Sequence, residues 1–217
     1  MEGVSKTSII VFQKRRIMKE SDMNNCFDAI LQHIDRRISL SDGEKNHVRA
    51  AFSIRELLPR QYLLAQGEVC RYESYVCKGF LRSFHVDARG NEHTLHFALE
   101  DWWISDLNSF IRQKPASRNI IALEKTVVLQ IDIEQREELL LLVPKMERFW
   151  RILNEHASMA QDERILNNIS MPGAERYQAL VKKYPDIEQR LPQKHIASFL
   201  GITPVFLSQI RKEIAKK

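Results

Sequence analysis

A metal or acid–base site needs histidines and carboxylates that converge, and this 217-residue chain gathers them in one place: His85, Glu92, His93 and His96. A cupin-like metal site would take two or three such histidines and a carboxylate from neighbouring strands. The stretch around them reads as strand, and His93 and His96 are three residues apart, so the two-residue period turns them to opposite faces. They are expected to be ordinary polar histidines. Cys26, Cys70 and Cys77 are an odd set without the close pairs of a zinc or iron–sulfur site. With no secretory signal beside them, they are expected to be reduced thiols. No nucleophile elbow, P-loop or dinucleotide fingerprint is present. No catalytic residue, metal or cofactor is therefore expected, and a cupin-like metalloenzyme is the weakest alternative.

A different chemistry sits in PQKHIASFLGITPVFLSQIRKEIAKK, residues 192–217. Pro192 suits the first position of a helix, where a missing N–H costs nothing. Ile196, Ala197 and Leu200 make one apolar face, and Gly201 supplies a left-handed break. Thr203 is a natural N-cap, with Pro204 opening the next helix. In that helix Phe206, Leu207 and Ile210 are expected to face inward, and Ser208, Gln209, Arg211 and Lys212 outward. Two short helices crossing at a tight turn, with small Ala197 at the crossing, have the layout of a helix-turn-helix. Its DNA-contacting set would be Gln193, Lys194, Thr203, Val205, Phe206, Ser208, Gln209, Arg211 and Lys212. Gln209 could pair with adenine, Val205 or Phe206 could touch a thymine methyl, and the cations would meet phosphates. From Lys194 onward five cations, including Lys216 and Lys217, stand against Glu213 alone. The whole chain carries a formal net charge of +5, which permits an anionic partner without requiring one. A plain helical hairpin with a solvated basic face is the alternative.

Holding these residues takes a scaffold whose texture changes twice along the chain. With 44% hydrophobic and 28% charged residues, it fits one or two soluble domains. The longest apolar runs, SIIVF and LLLLV, fall well short of the ~20 residues of a membrane span, and a cytoplasmic protein is expected. Residues 1–22 lack sustained periodicity and are expected to be a loosely held extension, with Met23 as the biological start. Residues 24–56 show helical spacing, with Ser41 and Asp42 placed to cap the second run. From Leu57 the chain turns rich in β-branched and aromatic residues. VDARGNEH reads as a hairpin turn, with Phe80, Arg82, Phe84 and Val86 on one strand face and Leu81, Ser83 and His85 on the other. Several short strands at close spacing predict an antiparallel barrel or sandwich. After Ile133 the helical period returns. A long helix from Pro144 carries Phe149, Ile152, Leu153, His156, Ala160 and Glu163 at steps of three and four. So narrow a seam suits pairing with a second copy. Pro172-Gly173 ends it, and AERYQALVKKY follows.

In this order, and through the phrases FALEDWWISDLNSF, LPQKHIASFLGIT and LSQIRK, residues 25–213 resemble the cyclic-AMP receptor/FNR-type (Crp/Fnr) transcription regulators, and most of all their Bacteroidetes branch. The resemblance implies an α+β protein. It would have an N-terminal antiparallel β-roll over 23–143, a double-stranded β-helix of the cyclic-nucleotide-binding kind. A dimerisation helix over 144–171 and a helix-turn-helix over 172–217 would follow. It implies a homodimer on a pseudo-palindromic double-stranded DNA operator, with RNA polymerase as a further partner. A protein-interaction dimer whose helix-turn-helix does not bind DNA is the alternative. The family's nucleotide cassette has Gly-Glu before a leucine and an arginine ten residues after the glutamate. Here Ser105-Asp106 stands for Gly-Glu, and Ala116 for the arginine, with Arg118 two residues beyond. A buried phosphate without its guanidinium fork is poorly offset, so cyclic AMP is not expected to bind. The effector pocket expected from the resemblance comprises Trp102, Trp103, Ser105, Asp106, Ser117 and Arg118, with the tryptophans filling space. The reader departs too, with Pro204, Val205 and Gln209 where the family pattern has Arg, Glu and Arg. The family's β-hairpin wing has no counterpart after the last helix, so a wingless reader is expected.

Overall fold

The computed structural model describes residues 19–215; residues 1–18, with most of the expected extension, and Lys216 and Lys217 lie outside the described residues. Helix α1, Glu20–Asp35, opens with Glu20 and Asp22 near its N-terminus, where the helix dipole favours anions. It already includes Glu20 to Asp22, part of the stretch read as extension. Helix α2, Asp42–Ala51, is started by a capping box in which Ser41 Oγ accepts from Glu44 N (3.3 Å) and Ser41 N donates to Glu44 Oε2 (2.7 Å).

The strands follow, beginning slightly earlier than the texture at Leu57 suggested. They are β1 Ser53–Leu57, β2 Tyr62–Leu64, β3 Tyr72–Lys78, β4 Leu81–Val86, β5 Glu92–Ala98, β6 Trp103–Ile104, β7 Asn119–Ala122 and β8 Thr126–Asp132, with helix α3, Leu107–Arg112, between β6 and β7. They form two antiparallel sheets of four, in the orders β1-β8-β3-β6 and β2-β7-β4-β5. The β4–β5 hairpin turns where the sequence indicated. Asp87 Oδ1 accepts from Arg89 N and Asn91 N, each at 2.9 Å, and Gly90 takes φ +82°. Gly79, between β3 and β4, has φ +101°, and its Cα–H faces the Thr126 backbone so closely that no side chain fits.

Helix α4, Ile133–Leu142, is capped by Asp132, and α5, Lys145–Ser170, is the long helix. Then come α6 Gly173–Lys183, α7 Ile187–Arg190, α8 Gln193–Leu200 and α9 Pro204–Ile214. The single-turn α7 is too short for periodicity to reveal. Pro192 is the N-cap of α8 and Gln193 its first residue, one place later than the proline suggested.

Apolar burial falls into three layers. Leu57, Val76, Leu81, Phe110, Ile120 and Val128 fill the space between the sheets. On the outer face of the first sheet, Ile30, Ile34, Val48, Tyr75, Leu129 and Phe149 join α1, α2, α4 and the start of α5. On the outer face of the second sheet, Phe80 and Phe97 share one cluster with Tyr177, Leu180, Ile196, Leu200, Leu207 and Ile210. The C-terminal helices therefore complete their core with Phe97 of β5 and with Phe80, the residue just before β4.

Candidate DNA-reading helices and sensor cleft

Helices α8 and α9 cross at Gly201, which takes the left-handed conformation at φ +66°. Ile202 N reaches back to Ala197 O at 3.0 Å. Thr203 Oγ1 accepts from Phe206 N at 3.1 Å and starts α9 on Pro204. Ile196, Ala197, Leu200, Leu207 and Ile210 are buried, as the spacing required. Phe206 is not. It is 45% exposed, lying on the flank of α9 against the start of α6, where a Cβ on Gly173 would meet its ring at 3.1 Å. Gln193, Lys194, Thr203, Val205, Gln209 and Lys212 are exposed and Ser208 is half-buried. Arg211 is half-buried too. Its Nε lies 2.9 Å from Glu188 Oε1, which also accepts from Tyr177 Oη at 2.6 Å.

Between β5, β6, α5 and α6 lies a cleft of ≈ 810 Å³, within the range of small-molecule sites. Of the six expected pocket residues, Trp102, Trp103, Ser105 and Arg118 line it. Trp103 is core packing on its inner side, stacked among Tyr75, Phe149 and Trp150. Trp102 is 40% exposed, its ring centroid 6.0 Å from that of Tyr184 in an edge-to-face arrangement. Asp106 is withdrawn below the cleft at 1% exposure. It caps α3 through Ser109 N (3.2 Å), accepts from Ser117 N (3.1 Å) and lies 3.4 Å from Arg118 Nε. The residues standing in for the cassette thus hold each other.

The histidine parity argument fails, for a local reason. A one-residue bulge at Leu95 pairs His85 with His93 but Ser83 with His96, so all three histidines share one face. They still do not converge. His85 Nδ1 donates to Ser117 O at 2.7 Å, and His93 Nε2 bonds Asp87 at 2.9 Å. No group of three His, Cys, Asp or Glu side chains among the described residues could hold a metal. The three thiols are unlinked.

Residues 54–141 match the sequence family of the cyclic nucleotide-binding domain. This part of the chain is a cyclic-nucleotide-binding-like domain. Solved structures of similar fold include FixK2 from Bradyrhizobium japonicum, at 13% identity over 76% of this chain and 85% of that one, TM-score 0.67. The c-di-GMP responsive global regulator CLP of Xanthomonas campestris matches at 12% identity over 81% and 92%, TM-score 0.66. A CooA mutant from Carboxydothermus hydrogenoformans matches at 17% over 86% and 84%, TM-score 0.63. No curated protein sequence matches. These likenesses show the fold alone, an N-terminal sheet domain with a C-terminal helical region, and single out no branch. No helix among the described residues is long and apolar enough to cross a membrane.

The helical region is fastened to the cyclic-nucleotide-binding-like domain by groups that spacing did not flag. Ser198 Oγ accepts from Thr94 N and donates to Glu92 O, both at 2.9 Å. Arg164 of α5 donates to the carbonyls of Leu95, Thr94 and Phe199. Arg190 bridges Glu124 (2.6 Å) and Glu100 (3.0 Å) while lying over Phe80. An arginine in a short linker helix carries no period, so only its charge could have drawn notice. The residues of α5 expected to pair with a second copy take different places within one chain. Phe149 is buried in the domain core, Leu153, His156, Ala160 and Glu163 line the cleft, and Ile152 is half-buried. The apolar residues left outward are Met159, Ile165, Leu166 and Ile169, between 57% and 80% exposed.

Two histidines at this junction set an acid limit. His195, beside Arg82 and Lys194, and His96, beside Arg164 and Arg118, are each held down to about 4, by burial first and by those cations second. Between about pH 6.5, where unfolded histidine titrates, and about pH 4, the unfolded chain binds protons the folded chain refuses. Stability contributed by the neutral rings is complete above that window and is lost as pH falls through it. Urea midpoints should be lower at about pH 5 than at about pH 7, and the His96→Gln/His195→Gln chain should show a smaller difference. Equal pH sensitivity in the two chains would contradict the assignment.

Proposed function

We propose that this chain is a homodimeric, sequence-specific DNA-binding transcription regulator whose sensor domain has given up the cyclic-nucleotide cassette. The observation that carries the reading is the N-terminal half of α9. Val205, Phe206 and Gln209 stand exposed on a hairpin whose opposite face is buried, as a helix entering a major groove requires. The outward apolar stripe of α5 supports a dimer. Two copies of α9 would then meet half-sites roughly 34 Å apart on a pseudo-palindrome. Lys194 and Lys212, which have no carboxylate within ion-pair distance among the described residues, serve as phosphate contacts. Arg211 reaches DNA only by leaving Glu188.

A selection of bound fragments from random duplex DNA tests this, with an enriched inverted repeat as the expected result and no enrichment as its refutation. On the selected site, Gln209→Ala should erode discrimination at one base pair by about 1–2 kcal/mol. Lys212→Ala should weaken all sequences alike and flatten the salt dependence by about one phosphate. Identical uniform losses from both would remove Gln209 from the base-reading set. A second reading, a dimer that binds protein through α9, is favoured by the exposed apolar Val205 and Phe206. It predicts no salt-dependent DNA binding at all.

A further inference from the structure

Charges in the cleft do not balance at the end nearest α6. Elsewhere along the cleft the lining charges are paired, Glu73 with Arg136 at 3.0 Å, Asp101 with Arg36 at 2.5 Å, and Arg118 with Asp106 at 3.4 Å. Toward α6 the lining cations Arg164, Arg176 and Lys183 outnumber the one lining carboxylate there, Glu163, and none of the three has a carboxylate within ion-pair distance among the described residues. The guanidinium groups are held by main-chain carbonyls instead, Arg176 by Asn168 O (2.7 Å) and Arg164 by Thr94 O and Phe199 O. A guanidinium has five donors, and in both arginines Nε is buried without a hydrogen-bond partner among the described residues. Six of the eight buried polar side-chain atoms that make no hydrogen bond among the described residues belong to residues lining this one cleft, Arg118 Nε having only its 3.4 Å ion pair with Asp106. Native folds leave few such groups, and each calls for an explanation such as a bound water, ion or ligand.

The same end carries the flat apolar surface of the cleft. Trp102 stands 40% exposed with Tyr184 beside it, and Lys183 Nζ lies 5.6 Å from the Tyr184 ring. An exposed indole and guanidinium groups without carboxylate partners, lining one concave site, match a ligand that is both planar and anionic. Ser105, Asp106 and Ala116, which stand in for the nucleotide cassette, take no part in it.

We propose that the α6 end of this cleft binds a flat aromatic oxyanion, its ring against Trp102 and Tyr184 and its carboxylate or phosphate held by Arg164, Arg176 and Lys183. The site joins the sheet domain, α5 and α6, so its occupant touches every unit of the chain. Binding here does not depend on DNA recognition, and failure to find an operator would leave it standing.

Calorimetry on the full chain tests it with naphthalene-2-carboxylate and 2-naphthyl phosphate as probes, against neutral naphthalene-2-carboxamide and against acetate and inorganic phosphate. At least one aromatic anion should bind one per chain with a Kd on the order of 0.1 mM. The carboxamide and the ring-free anions should each bind at least about 10-fold more weakly, as loss of a charge-assisted contact or of ring burial predicts. Whichever anion binds better identifies the headgroup, carboxylate or phosphate. Arg176→Gln should weaken the anion about 5-fold or more and leave the carboxamide unchanged, while Trp102→Ala should weaken both. Lys183→Gln, at an exposed position that cannot endanger folding, repeats the charge test. Equal affinity for anion and carboxamide, indifference to both Arg176→Gln and Lys183→Gln, or no heat from either aromatic anion would overturn the proposal.

Discussion

Gly79→Ala should be among the most destabilising single changes available in this chain. At φ +101° a Cβ would sit 2.6 Å from Thr126 Cα and 2.7 Å from Lys125 O, closer than the 3.0 Å that real Cβ atoms keep. Both neighbours are backbone, so no side chain can swing away. Relief means moving the crossing of the two sheets apart. That breaks the bonds from Gly79 N to Glu100 Oε1 (2.9 Å) and from Phe80 N to Thr126 Oγ1 (3.2 Å), and shifts Phe80, which is fully buried. Backbone strain of about 1–3 kcal/mol, about 1 kcal/mol for each hydrogen bond, and disturbed packing add to roughly 4 kcal/mol. Gly90→Ala makes the comparison. Its φ is +82° but nothing lies within 4 Å of the new Cβ, so only conformational strain of about 1 kcal/mol is expected. Urea unfolding followed by tryptophan fluorescence measures both. A Gly79→Ala midpoint no lower than that of Gly90→Ala would show that the crossing is not fixed by this contact.

In the proposed dimer, Met159→Asp combined with Leu166→Asp should separate the two protomers. The two positions are 58% and 64% exposed within one chain, and they lie seven residues apart on the same side of α5. Within a single chain the change costs little, since both side chains already face water. Across a two-fold interface it buries carboxylates against apolar neighbours and against each other. Light scattering at about 10 µM should report the protomer mass, and affinity for a two-half-site operator should fall by about 100-fold or more once the halves bind singly. Ala160→Asp is the discriminating control. Ala160 faces the cleft, so this chain should stay dimeric. Loss of the dimer from Ala160→Asp, with Met159→Asp/Leu166→Asp still dimeric, would place the interface on the seam drawn from spacing instead.

That contrast shows what the residues disclosed. The caps at Ser41 and Thr203, the left-handed Gly201 and the hairpin at Asp87–Gly90 were legible because each depends on chemistry within a few residues of itself. The buried face of α8 and α9 was legible because its period is local too, except for Phe206, whose place depends on Gly173 some thirty positions away. Helix α5 carries apolar residues on two sides. Choosing between them needs to know that one side looks into a cleft. The bulge at Leu95 inserts one residue into one strand, and nothing in HTLHF announces it, yet it reverses the side on which His96 emerges. Arg164 and Arg190 were missed because an arginine that bonds carbonyls and carboxylates far along the chain has no nearby signature.

The cluster that holds α6, α8 and α9 together has one more consequence. Phe80 and Phe97 belong to it, and Ser198 and Arg164 tie α8 and α5 to the edge of β5. The C-terminal helices are thus not a detachable module. A segment of some forty residues is about the smallest that folds without staples, and this one lacks two aromatic side chains of its own interior. Transplanting residues 172–215 onto a foreign sensor would strip the graft of Phe80 and Phe97, leaving a bare apolar hollow. A working chimera would have to carry the β4–β5 hairpin with it, so the natural unit of exchange in this architecture cuts across the apparent domain boundary.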